Sequence, residues 1–210
     1  MRIGSFGKVT KGKDHKVCED SILLDKKRKI FAIADGLTTP SGGKEASERT
    51  LKYLKKFYKD DLVDAIEKTN EKIIIDRKKI AVGYTTLTAV KIDEGIAKFS
   101  NVGDSPAYVV HDGRMIPIGN LDRIFGTHAL AQAIGEENVD VHYFEEKIGT
   151  GNYVILMSDG ITDVINKEEM MHIFSREKKP DVIGKRILRL AESKQTIYND
   201  DKSIIVIQIL

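Results

Sequence analysis

Between Gly83 and Gly119 the chain runs "GYTTLTAVKI", "GIAKFSNVG", "PAYVVHDG" and "RMIPIG", four strand-like segments joined by short loops that carry Gly, Asp or Asn. No long helix separates them, so they are expected to pair as an antiparallel meander rather than as parallel strands, which need a long crossover. An N-terminal strand precedes "SILLD" and "KIFAIAD", which are separated by the charged hairpin tip "KKRK". Two strands ending at Met157 and a last one over Ser203–Leu210 complete the set. Helical spacing occupies other stretches: Leu51, Leu54 and Tyr58, then Leu62, Ala65, Ile66, Ile73 and Ile74, recur among lysines and glutamates, broken near "YKDD". Further helices are expected around Asp122–Ile134, Lys167–Ser175 and Asp181–Glu192. Strands cluster and helices cluster, which predicts α+β layers in one domain over residues 1–210.

Composition narrows the function classes. The 210 residues, 41% hydrophobic, suffice for a full core. Lysines and arginines number 34 against 32 acids, so the net charge of +2 gives no reason to expect nucleic acid or membrane as a partner. The N-terminus lacks the apolar stretch of a secretory signal, and no apolar run approaches the roughly 20 residues that span a bilayer. A cytoplasmic monomer is expected. Cys18, the single cysteine, reads as a small core residue, with Glu19 beside it to raise its thiol pKa. His15, His111, His128, His142 and His172 are scattered without the spacing of a helical metal pair.

Chemistry enters through acids at strand ends. "KIFAIADG" ends at Asp35, "AKFSNVGDS" at Asp104 and "NYVILMSDGITD" at Asp159 and Asp163, while Asp200 and Asp201 stand just before the last strand. One Asp-Gly is an ordinary turn signal. Repetition changes its meaning, because several carboxylates held at the ends of buried strands repel one another and need a counter-charge. No lysine or arginine stands beside each of them in sequence. A set of hard oxygen donors without a His/Cys cluster favours Mg²⁺ or Mn²⁺ over Zn²⁺. The glycines after Asp35 and Asp159 are expected to let backbone carbonyls approach such an ion.

In order, "CEDS" (18–21), "ADG" (34–36), "GYTTLTA" (83–89), "NVGDSPAYVV" (101–110), "LMSDGITD" (156–163) and "NDDKSIIVI" (199–207) resemble the metal-dependent protein phosphatase (PPM) family, also called protein phosphatase 2C. The chain looks like a compact member of bacterial or archaeal kind. The resemblance implies a four-layer αββα sandwich, two mostly antiparallel sheets flanked by helix pairs, with a two-metal site at one end. By it, Asp35 would bridge two Mn²⁺ or Mg²⁺ ions, Asp159 and Asp200 would complete one, and the Gly36 carbonyl, Glu19 and Asp20 would serve the other. Asp104, Asp159 and Asp163 would hold a third ion. The implied reaction is direct hydrolysis of phosphoserine or phosphothreonine esters by a metal-bridging hydroxide, on a phosphorylated protein made by an opposing Ser/Thr kinase.

The chain also departs from the family pattern. Leu37 follows the "DG" pair where many members have His or Met. His15 aligns with the arginine expected to grip the phosphate, with Lys16 or Lys13 as alternative point charges. Thr38 and Thr39 replace a glycine pair, and Pro106 stands where "GDSR" has arginine. The segment between Asp104 and Asp159 is short, so an open cleft is expected. Two alternatives accompany the phosphoprotein phosphatase: a catalytically weakened regulatory or binding module, and a phosphatase of small phosphorylated metabolites.

Overall fold

The structure, a computed structural model, describes residues 1–124, 127, 129–194 and 199–210. Two five-stranded antiparallel sheets stack face to face. One has the order β1 (Ile3–Thr10), β10 (Lys202–Ile209), β9 (Tyr153–Met157), β6 (Ala107–His111), β7 (Arg114–Ile118). The other runs β2 (Ser21–Asp25), β3 (Ile30–Ala34), β4 (Leu87–Asp93), β5 (Ile96–Val102), β8 (His142–Lys147). Helices α1 (Gly43–Phe57) and α2 (Leu62–Arg77) cover the outer face of the second sheet, and α4 (Lys167–Arg176) and α5 (Pro180–Ser193) that of the first. The expected α+β sandwich is the fold observed.

Strand pleating explains why the central strands are apolar throughout. In β3, Phe31 and Ile33 point between the sheets, whereas Ile30, Ala32 and Ala34 point at α1 and α2. In β9 and β10, Val154, Leu156, Ile205 and Ile207 face inward while Tyr153, Ile155, Ile204 and Val206 meet the other helices. Each such strand is buried on both faces and cannot alternate with polar residues. Burying one large apolar side chain stabilises the fold by about 1.5–3 kcal/mol, so three stacked apolar layers account for the sandwich.

The helices begin where local chemistry satisfies their free N–H groups. Asp61 accepts from the Asp64 N–H at the start of α2, Asn166 and Glu169 form a reciprocal capping box on α4, and Pro180 opens α5. One expected helix is not found among the described residues. Over 122–134 the described residues make sheet-like pairings instead: Thr85 and Ile134 exchange N–H···O bonds of 3.3 and 2.8 Å, and Ile124 N–H bonds Ala129 O at 2.9 Å. The strand-like backbone at Thr85 captures donors that a helix would have kept for itself. The reading of His128 lies outside the described residues.

Candidate metal centre

Register brings the acids together. Ser21 pairs with Ala34, Leu87 with Val102 and Ile204 with Met157, so the chain segments holding Glu19, Asp20, Asp35, Asp104, Asp159 and Asp200 leave the sandwich at the same end. A cleft of about 230 Å³ there is lined by Asp35, Gly36, Leu37, Thr38, Thr86, Asp104, Leu130, Asp159 and Asp200. The Asp35 backbone is clamped by Thr85 and Thr86: its N–H bonds Thr86 Oγ1 at 3.1 Å, and its carbonyl accepts from Thr85 Oγ1 and Thr86 N–H, both at 2.8 Å. Thr38, one of the residues replacing a glycine, donates to Glu19 Oε2 at 2.6 Å.

Packing also requires glycine at positions 36 and 160. A Cβ on Gly36 would collide with the Gly43 and Glu19 backbones, and one on Gly160 with the Asp201 carbonyl. Their absent side chains let the acid-bearing segments press together.

The electrostatics are those of a crowded set of anions. Burial, followed by the charges of Asp20, Asp159, Asp200 and Asp104, pushes the Asp35 carboxyl well above its usual range. Burial raises Asp20 to about 7, helped by the Asp201 charge. Ser158 and Ser203 offset part of that rise, yet among the described residues neither Asp20 oxygen receives a hydrogen bond of good geometry. Burial and the charges of Asp104, Asp200 and Asp163 lift Asp159 to about 6. Orphaned buried oxygens beside a shared, oxygen-only cleft are what a hard divalent cation would satisfy, so the residues present fit Mn²⁺ or Mg²⁺.

The Asp104, Asp159 and Asp163 corner is different. The short helix α3 (Asp159–Thr162) puts Asp159 and Asp163 one turn apart, with Asp163 N–H bonded to Asp159 O at 2.8 Å. Arg123 sits against all three acids: Nε is 2.5 Å from Asp104 Oδ2, Nη2 is 3.1 Å from Asp159 Oδ2, and Nη1 is 3.4 Å from Asp163 Oδ1. This arginine carries no local sequence signal, since Asp104 lies 19 residues away and Asp159 lies 36 away.

His15 packs against the final acids, with Nδ1 3.0 Å from Asp201 Oδ2 and Nε2 3.6 Å from Asp200 Oδ1. Burial opposes its charge, but Asp201, Asp200 and Glu19 outweigh that and raise its pKa. His15, Asp200 and Asp201 present ligand atoms within 4.8 Å of one another. Asp201, however, is already spent: its two oxygens accept the Gly12 and Glu19 N–H groups, each at 2.6 Å. Burial works against the charge on Asp201, and these bonds hold its pKa low all the same. We read it as the staple that fixes the loop carrying His15; the sequence placed it beside Asp200 before the last strand but gave it no role. Lys16 is exposed. Cys18 is half-buried rather than a core residue, and burial, with the charges of Asp201 and Asp20, pushes its thiol up to about 12. His142 bonds Asp122 at 2.7 Å, away from the acid cluster, and His111 and His172 are exposed.

The family model described as Stage II sporulation protein E (SpoIIE), of protein phosphatase 2C kind, matches residues 45–210. The chain belongs to the PPM family. Among curated relatives of this PPM protein, the one named probable protein phosphatase 2C 9 of Arabidopsis thaliana is 26% identical over 233 aligned residues, covering 93% of this chain and 82% of that one. Solved structures share the fold. PppA, described as a key regulatory component of T6SS in Pseudomonas aeruginosa, superposes with a TM-score of 0.89 at 18% identity, covering 100% of this chain and 99% of the other. The catalytic domain of the serine/threonine phosphatase PstP, in complex with two manganese ions, gives 0.85 at 20% identity, covering 98% and 97%. The curated relatives are named protein phosphatases 2C, and several structural neighbours are named serine/threonine phosphatases. Among the described residues no helix is long and apolar enough to cross a membrane.

Proposed function

We propose that this PPM protein is a metal-dependent phosphatase that hydrolyses phosphoserine and phosphothreonine esters on proteins, residues 1–210 acting as one catalytic domain. One observation carries the proposal: Asp35 stands among the charges of Asp20, Asp159, Asp200 and Asp104, and among the described residues neither Asp35 nor Asp20 has an ion pair with lysine or arginine. Asp35, Asp159, Asp200, Asp20, Glu19 and the Gly36 carbonyl would hold Mn²⁺ or Mg²⁺. When bound, such ions lower the pKa of water and steady charge on a transferring phosphoryl group. The chain's own part is to fix the donors. Thr85 and Thr86 hold Asp35, Thr38 orients Glu19, and the Asp201 staple sets the loop before Glu19.

Leu37 offers no proton at the position where a side-chain acid would meet the departing alkoxide, so protonation falls to solvent in the cleft. Lys16 and the Asp200-facing nitrogen of His15 are assigned to the substrate phosphate. His15 would loosen its contact with Asp200 to make that bond.

Phosphate release from a phosphothreonine peptide, with Mn²⁺, Mg²⁺ or EDTA, tests the proposal. Expected is turnover that EDTA abolishes and that falls by more than about a hundredfold in Asp35→Asn and Asp159→Asn, since even outer-shell changes at metal sites cost 10–100-fold. A folded protein silent with every metal would point to a binding module instead, and turnover of small phosphate esters alone would point to a metabolite phosphatase.

A further inference from the structure

We infer that Arg123 is the resident cation of the Asp104–Asp159–Asp163 corner, so that this corner takes no divalent ion and the cleft fills with two ions rather than three. The guanidinium engages three different carboxylates through Nε, Nη1 and Nη2, at 2.5, 3.4 and 3.1 Å, and its side chain is only 23% exposed. Its charge cannot be removed by deprotonation, and its planar fork suits a ring of acceptors. A divalent ion entering among the same oxygens would meet a fixed positive charge at contact distance and find one oxygen of each carboxylate already engaged.

The arginine is held in place from behind. Its neighbour Asp122 accepts from Gly103 N–H at 2.7 Å and from Gln132 Nε2 at 2.8 Å, and lies 2.7 Å from His142 Nε2; the Asp122 N–H in turn bonds Gly103 O at 3.1 Å. Those contacts tie Arg123 to the turn that carries Asp104. Arg123 holds Asp159 through Oδ2 at 3.1 Å while its other nitrogens pair with Asp104 and Asp163, which links the Asp159 carboxylate to the turn that carries Asp104. Arg123 is therefore a positioning residue for Asp159.

The total of two ions rests on the metal-dependent reading above, whereas the exclusion by Arg123 is read as a difference between variants. The test is the Mn²⁺ stoichiometry of the full chain, measured by equilibrium dialysis with electron paramagnetic resonance of free Mn²⁺. Wild type and Arg123→Lys should bind about two ions, and Arg123→Gln and Arg123→Ala about one more, with a weaker constant. In metal-free protein, both neutral variants should also melt below wild type and recover on adding Mn²⁺. Three ions on wild type, or no gain in either neutral variant, would overturn the role given to Arg123. A wild type that binds none, with one ion gained in Arg123→Gln, would overturn the metal-dependent reading and leave the arginine's role standing.

Discussion

Asp20 and Asp76 are buried to a similar degree, 2% and 6% exposed, and the molecule treats them in opposite ways. Asp76, at the C-terminal end of α2, receives Lys72 Nζ at 2.5 Å, Tyr53 Oη at 2.5 Å and Arg49 Nη1 at 3.2 Å. Burial opposes its charge, but Lys72 and Tyr53 more than compensate and its pKa is lowered. Asp20, at the open end of the sandwich, has no such bonds, and its pKa rises to about 7. An acid that serves only the fold is completed by protein groups. Under the proposed function, one left incomplete among other acids is reserved for a metal ion.

Substitution should separate the two. Asp76→Ala removes the acceptor from Tyr53 and both cations; a loss of about 2 kcal/mol is expected, or roughly 4–8 °C in Tm, with or without Mn²⁺. Asp20→Asn should do the reverse in metal-free protein, raising Tm by roughly 2–4 °C because a neutral amide is cheaper to bury, while weakening Mn²⁺ binding. Thermal melts of both variants in EDTA and in Mn²⁺ decide the matter. A destabilised, metal-free Asp20→Asn would mean that Asp20 is a structural acid like Asp76.

A smaller effect sharpens the contrast through pH. Asp20, Asp35, Asp104 and Asp159 have folded pKa values above the ordinary carboxylate range, two of them at about 6 and 7. Between pH 5 and 7.5 the folded, metal-free chain therefore retains protons that the unfolded chain has released. Stability must fall as pH rises through this window. His15, raised by its acid neighbours, contributes in the same direction, and depressed acids such as Asp76 and Asp201 are ionised in both states there. Metal-free Tm should be higher at pH 5 than at pH 7.5, and saturating Mn²⁺ should flatten or reverse that slope. A metal-free Tm that climbs with pH would contradict the account.

The fold was legible because strands buried on both faces must be apolar throughout, as in "KIFAIAD" and "YVILM", and because short loops permit only antiparallel partners. The convergence of Asp35, Asp104, Asp159 and Asp200 on one cleft was legible for a related reason: their place at strand ends repeats. Two things were not. The apolar spacing over 122–134 resembles a helix, but pairing of Ile134 with Thr85, a contact between distant segments, overrides the local pattern. Arg123 meets its acids only through that misjudged segment, so no spacing in the chain announces it.

The edge pairing of β1 with β10, Ile3 against Ile209 and Thr10 against Lys202, has a consequence in time. At synthesis rates of roughly 5–20 residues per second, β1 leaves the ribosome about 10–40 seconds before its partner. The β2–β3–β4–β5–β8 sheet can assemble in that interval, carrying Asp20 and Asp35 at its open end. Asp200 and the Asp201 staple arrive only with β10, so under the proposed function a nascent chain lacks its full set of cleft acids until residues 200–209 have been made.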